Sequence, residues 1–195
     1  METFFTSDPH FGHHSIIKHC RPEFLRNTVL PEDEEEQNAI LRVLALEMDE
    51  VLIRNWNTRV KKGDRVWLLG DVAWRADHFL ENIRPRLNGT IRLIPGNHDD
   101  IVAYARSNAF QQIRYWKTFT EYDVKFQVTH VPLMLEDLRF NAQFNVHGHI
   151  HEKPPHTFWH HNICVERTNY APVHVDELLG DLRKKLEYYN CEGHG

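Results

Sequence analysis

The apolar positions of this chain fall in short runs, and each run stops at a cluster of polar, chemically able residues. Thr3–Thr6 (TFFT) ends at Ser7-Asp8-Pro9-His10, and residues 66–69 (VWLL) end at Gly70-Asp71. Residues 90–94 end at Pro95-Gly96-Asn97-His98, and residues 122–129 end at His130. Residues 144–146 lead into His147-Gly148-His149-Ile150-His151. Brief runs rich in aromatic and β-branched residues, bounded by turn formers, predict buried strands. Residues 113–120 and 122–129 form two such runs about a tight connection, which predicts a hairpin, and residues 162–165 predict a further strand.

Between the runs the period changes. Across residues 31–57, Leu41, Leu44, Met48, Val51 and Leu52 recur at helical spacing. That segment opens on Pro31-Glu32-Asp33-Glu34-Glu35-Glu36, acids placed where the positive end of a helix dipole favours them. Residues 76–84, closed by Pro85, predict a second helix, residues 99–107 a third and residues 176–188 an amphipathic closing helix. Strands alternating with helices predict an α/β fold, and the hairpin makes the sheet mixed. In open α/β sheets the functional crevice lies outside the carboxyl ends of the strands. Separate strand ends thus deliver Asp8 and His10, Asp71, Asn97 and His98, His130, and His149 and His151 to one place.

Composition narrows the picture. A length of 195 residues suits one domain over 1–195 with a full hydrophobic core. Cys20, Cys164 and Cys191 are odd in number and far apart, which argues against a disulfide framework or a zinc ribbon and for a reducing, cytoplasmic setting. A net charge of -5, without a basic tract, weighs against nucleic acid as the favoured partner. No apolar run approaches the ~20 residues that span a bilayer, so no membrane is expected. The anomaly is 15 histidines, since histidine is the commonest metal ligand among side chains.

Asp8 and His10, at i and i+2 of an extended segment, offer a carboxylate and an imidazole to the same side. His149 and His151 repeat the spacing with two imidazoles. Asp71 has two oxygens and can stand between two cations. Asn97 supplies a neutral carbonyl oxygen, and His98 can act as an acid or hydrogen-bond donor. Each pair alone is also explained by an ordinary turn or cap. With His130 added and His98 set aside as the acid, they make seven oxygen and nitrogen ligands without a thiolate, too many for one open metal centre and about right for two. Such a set suits manganese first, with iron, zinc and nickel also compatible. His147 reads as core, His13 and His14 as loop residues with His13 near the substrate, and His156, His160 and His161 as rim or solvent residues. His194 reads as part of a terminal tail.

The ordered blocks Asp-x-His, Gly-Asp, Gly-Asn-His-Asp, His and Gly-His-x-His, from Asp8 to His151, resemble the calcineurin-like metallophosphoesterase superfamily. Ser7 to His13 and Asn55-Trp56-Asn57 are similar to its small stand-alone bacterial and phage branch. The resemblance implies a four-layer αββα sandwich, two mixed β-sheets flanked by helices. It implies one divalent ion on Asp8, His10, Asp71 and His151 and a second on Asp71, Asn97, His130 and His149. Asn97, His98 and His13 would meet substrate. The sequence departs from the fuller pattern after Gly70-Asp71, where Val72-Ala73-Trp74 offers no acid to partner His98; Asp99 and a backbone carbonyl are the remaining candidates.

The expected reaction is hydrolysis of a small, nucleotide-like mono- or diester of phosphate. Hydroxide activated by the two cations attacks in line, and His98 assists the leaving group. The alternatives are a nuclease of the same superfamily and a catalytically dead protein-binding scaffold. Oligomeric state is not readable.

Overall fold

A computed structural model describes residues 1–191; His194 lies outside the described residues. In chain order the main elements are β1 (Thr3–Thr6), α1 (Ile16–His19), α2 (Glu34–Arg59), β2 (Arg65–Leu68), α3 (Ala76–His78), β3 (Thr90–Leu93) and α4 (Ile101–Arg106). There follow β4 (Gln112–Ile113), β5 (Lys117–Phe119), β6 (Phe126–Val128), β7 (Phe144–His147), β8 (His160–Asn162), β9 (Val173–His174) and α5 (Val175–Cys191). The first sheet has the order β4-β3-β2-β1-β9, parallel except for β9. The second has the order β5-β6-β7-β8, parallel except for β5. The fold is therefore α/β with two mixed sheets flanked by helices.

Alternation along the strands sorts the core into two clusters. On one face of the first sheet Phe4, Val66, Leu68, Ile91 and Leu93 pack against Leu41, Ala45, Met48, Leu52 and Trp56 of α2. On the other face Phe5 and Trp67 meet Phe119, Phe126, Val128, Phe144 and Val146 of the second sheet, with Leu178, Leu179 and Leu182 of α5. The outer face of the second sheet carries Thr118, Gln127 and Asn145, all buried. These satisfy a covering loop: Asn145 Oδ1 accepts from Leu133 N at 2.7 Å, and Gln127 Oε1 from Arg139 N at 2.8 Å.

Helix α2 begins where Asp33 accepts from the Glu36 amide, with Glu34, Glu35 and Glu36 in the first turn. It ends before the Lys61–Asp64 turn, whose first amide is capped by Asp64. Trp56 and Asn57 lock the neighbouring turn through bonds to Asn88 and Arg86 carbonyls.

Several expectations need correction. The helix expected over residues 76–84 is a short α turn followed by a π-type turn, Phe79–Ile83, and a 3-10 turn, Arg84–Arg86. Pro85 cannot donate to the carbonyl four residues back, so the regular ladder does not continue into it. The expected hairpin is real only as β5 with β6; Ile113 belongs to β4 in the first sheet, and the chain changes sheets across residues 114–116. The strand expected over residues 162–165 lies earlier, at β8, because Cys164 leaves the sheet to bridge Ser7 beside β1. His160 is neither rim nor solvent: it is 8% exposed, and its ring engages the Thr157 hydroxyl and the Leu133 carbonyl.

Candidate metal centre

The parallel strands β1, β2 and β3 end on the same side, and β6 and β7 bring their own ends to it. Backbone bonds stitch these ends together: Asp8 N donates to Gly70 O at 3.1 Å, His10 N to Asp71 O at 3.0 Å and Gly148 N to His130 O at 2.9 Å. Two clusters of carboxylates and imidazoles result. One is Asp8, His10 and His151; the other is Asp71, His130 and His149; in each, the candidate ligand atoms lie within 4.8 Å of one another.

Asp71 stands between them. Its Oδ2 is 3.5 Å from His10 Nε2 and 3.5 Å from His130 Nε2, while its Oδ1 accepts from the His98 amide at 2.9 Å. Asn97 Oδ1 lies 3.1 Å from His130 Nε2. The His98 ring is exposed, with its centroid 5.7 Å from that of His10. All seven expected ligands and His98 are thus gathered at one side of the two sheets. His13 sits one ring further out, 5.4 Å from His10, and its Nδ1 accepts from Ile16 N at the start of α1.

The local backbone is costly. Asp8, His10, Asp71, His149 and His151 all have positive φ, between 49° and 71°. Non-glycine residues seldom adopt that region, and they do so where surrounding structure over-determines them, above all at functional sites. Close approach explains Gly148: a Cβ there would lie 1.9 Å from Ser7 Oγ and 2.1 Å from Asp8 Oδ2. What Gly148 provides is room for that approach.

Asp8 is held by one oxygen and free at the other. Oδ2 accepts from Ser7 Oγ, His149 N and Cys164 Sγ. Asp8 Oδ1 and both ring nitrogens of His10 are buried without a hydrogen-bond partner. Buried polar atoms are nearly always satisfied, and these orphans belong to the residues that form one of the clusters. A divalent cation is a group that satisfies carboxylate oxygens and imidazole lone pairs together, so the donor set fits metal ions.

The protonation pattern agrees. Burial lowers the pKa of His10 well below its ordinary value, reinforced by Arg21, so the ring is neutral and keeps a lone pair. Burial raises Asp8, with Asp71 adding to the rise. Burial opposes ionisation of Asp71, but the contact and charge of His130, then His10, outweigh it and hold the carboxyl far below its usual range. Burial also works against the His130 cation, yet Asp71 and Asp8 prevail and lift that ring to about 9. Asp71 and His130 pair as anion and cation where no metal competes.

Residues outside the expected ligand set complete the site. Asp99 takes three backbone amides, Val72 N at 2.8 Å, Gly96 N at 2.8 Å and Asp71 N at 3.1 Å. It clamps two ligand loops to each other, and none of its bonds goes to the His98 ring. Asp100 rather than Asn97 caps α4. Ser7, Arg21 and Glu166 back the Asp8 loop and His151. Only the Gly-Asn-His-Asp spelling gave a signal for Asp99; nothing near Arg21 or Glu166 in sequence marks them.

Comparison with known proteins gives the same outline. A relative from Methanocaldococcus jannaschii, the uncharacterized protein MJ1445, is 30% identical over 194 residues, covering 93% of this chain and 91% of that protein. The gene 66 protein of Mycobacterium phage L5 is 33% identical over 223 residues, covering 98% of this chain and 94% of that protein. Among solved structures, AQ665 of Aquifex aeolicus, a protein of unknown function, superposes with a TM-score of 0.63 at 21% identity over 91% of this chain and 97% of its own, which speaks to the fold. The family model for calcineurin-like phosphoesterases matches residues 1–195, and the chain belongs to that family.

Proposed function

We propose that this chain, as one domain over residues 1–195, hydrolyses a small phosphate ester at a centre of two divalent cations. One ion is held by Asp8, His10, Asp71 and His151, the other by Asp71, Asn97, His130 and His149. The observation that carries the reading is the position of Asp71 Oδ2, equidistant from His10 and His130 at 3.5 Å. Family membership supports metal-dependent phosphoester hydrolysis in general. When bound, the cations offset charge on the phosphoryl oxygens and make water acidic enough to attack near neutral pH. Manganese is the first ion to try; iron, zinc and nickel suit the same donors.

The chain's own residues do the rest. The His98 amide is tied to Asp71 and the following Asp99 is clamped, so the exposed imidazole has a fixed base. It donates a hydrogen bond or proton to the leaving oxygen, a contribution of about 10²–10⁴-fold. Trp74, 50% exposed, meets His13 edge-on at 4.3 Å and walls a cavity of about 340 Å³ with Phe11, Arg75 and His78. No helix among the described residues is long and apolar enough to cross a membrane, and a cytoplasmic setting suits the free thiols of Cys20, Cys164 and Cys191.

The test is hydrolysis of bis-p-nitrophenyl phosphate and p-nitrophenyl phosphate by protein stripped of metal and then reloaded with manganese. Two bound ions per chain and a rate that returns with them are expected. A rate indifferent to chelation defeats the proposal, and a chain that binds no metal is the scaffold instead. Single-stranded DNA and RNA in the same assay separate a nuclease from a small-ester hydrolase.

A further inference from the structure

Arg21 is a charged side chain with 0% exposure, buried behind the Asp8–Pro9 segment. Each of its three guanidinium nitrogens donates a hydrogen bond. Nη2 donates to the Asp8 carbonyl at 2.6 Å, Nη1 to the Pro9 carbonyl at 2.8 Å and Nε to Glu166 Oε1 at 2.8 Å. The Glu166 side chain is 3% exposed, and the same Oε1 lies 3.0 Å from His151 Nδ1. Glu166 sits on a 3-10 turn, Val165–Arg167, directly after the point where Cys164 bridges Ser7.

Burying two charges costs several kcal/mol per ion, and well-packed apolar residues often do as well for stability alone. What apolar residues cannot do is choose a tautomer. A carboxylate against Nδ1 keeps the proton on that nitrogen, which leaves the Nε2 lone pair of His151 for the cluster with Asp8 and His10. The same arginine pins the two carbonyls of the Asp8–Pro9 segment, where Asp8 and His10 hold φ of 56° and 49°. One ion pair therefore fixes both loops that build this cluster. In the other cluster, His130 Nδ1 meets only the neutral Leu69 carbonyl, at 2.8 Å, and His149 is exposed.

We infer that Glu166, held by Arg21, is a positioning residue that fixes the Nε2-ligating form of His151 and sets cation affinity at the Asp8–His10–His151 cluster, without acting on the Asp71–His130–His149 cluster. The inference rests on the two-cation reading above. Manganese titration of the full chain, followed by electron paramagnetic resonance of the free ion and by calorimetry, reads both sites. The wild type takes two ions. Glu166→Ala weakens one of them by ~100-fold and leaves the other unchanged, and Glu166→Gln, which keeps the shape and one acceptor, weakens the same ion by ~10-fold. Read at a pH where the ring is neutral, the ¹⁵N spectrum of His151 in the metal-free protein shows a single Nδ1–H tautomer in the wild type and a mixture of tautomers in both variants.

Wild-type affinity at both sites in Glu166→Ala overturns the inference. So does parallel weakening of both ions together with a lower melting midpoint of the metal-free chain, since that is loss of structure. If Glu166→Ala does not fold, Glu166→Gln decides: unchanged affinities and an unchanged tautomer overturn it. A wild type that takes fewer than two ions overturns the two-cation reading itself, which separates the two failures.

Discussion

The two ligand clusters share Asp71 as a neighbour but are built differently. Asp8 and His10 are 0% and 3% exposed, and His151 is backed by a buried ion pair. His130 is equally buried, but Asn97 and His149 beside it are exposed, and so is His98. One half is a fixed floor, with one carboxylate oxygen held by three donors and the other left for a cation. The other half opens toward the side from which an ester must come. A two-ion centre needs both, because geometry must be rigid where charge is held and accessible where the substrate exchanges.

The strongest way to break this comparison is to remove what the halves have in common. Asp71→Asn loses the charge that faces both His10 and His130, and the shared position predicts that both ions weaken. Activity then falls to the level of chelated wild type. Calorimetric titration beside the hydrolysis assay checks it; retention of one ion at full affinity would show that Asp71 serves one half alone.

His98→Asn removes no expected ligand; its exposed ring lies on the open side, 5.7 Å from the ring of His10. The rate is expected to drop by about 10²–10⁴-fold with both ions still bound. Leaving-group dependence sharpens the test. A donor to the leaving oxygen matters more for phenyl phosphate than for p-nitrophenyl phosphate, so the loss should be larger with the poorer leaving group. An equal loss with both esters would move His98 from leaving-group assistance to phosphoryl binding.

In both halves the sequence disclosed the ligands and not their supports. Asp8, His10, Asp71, Asn97, His98, His130, His149 and His151 stand at strand ends, and alternation with strand length places strand ends well. The supports do not follow from pattern. Arg21 and Glu166 are 145 residues apart and meet only because the end of β8 turns back to Ser7. Asp99 read as part of a motif and as a candidate partner of His98, and its role as a clamp depends on two loops whose approach no local signal encodes. The same limit explains the fold. Strands of four residues and the long helix were legible from period, whereas the two-residue β9 is too short to have one. Residues 113–120 form one β-rich run in sequence and two sheets in space, because a pattern of apolar positions does not say which sheet receives them. His160 read as solvent-facing because polarity stood in for exposure, yet the second sheet buries a polar outer face under a loop.

Gly148→Ala attacks the fixed floor through packing. The new methyl would meet Ser7 Oγ and Asp8 Oδ2 well inside contact distance, so the Asp8 loop must shift. The expected cost is about 1–3 kcal/mol of stability, the usual scale of overpacking. It should fall selectively on the ion at Asp8, His10 and His151. Thermal unfolding of metal-free protein gives the first quantity, and manganese titration gives the second.

The smallest expected effect is the control that gives the others meaning. Asp33→Ala removes the side chain that caps α2, at the exposed start of that helix. Loss of such a cap costs about 1 kcal/mol. Helix α2 does reach the site region further along, since Asp49 accepts from the Gly12 amide, but its first turn fixes no ligand loop. Melting should therefore fall with both ion affinities and the hydrolysis rate unchanged. If it does, stability and cation affinity are separable in this fold, and the selective losses expected of Glu166→Ala and Gly148→Ala report on one cluster. If affinity at the Asp8 cluster falls with the cap, that cluster's rigidity is drawn from the whole helical layer, and the contrast between a fixed floor and an open half is one of global stability.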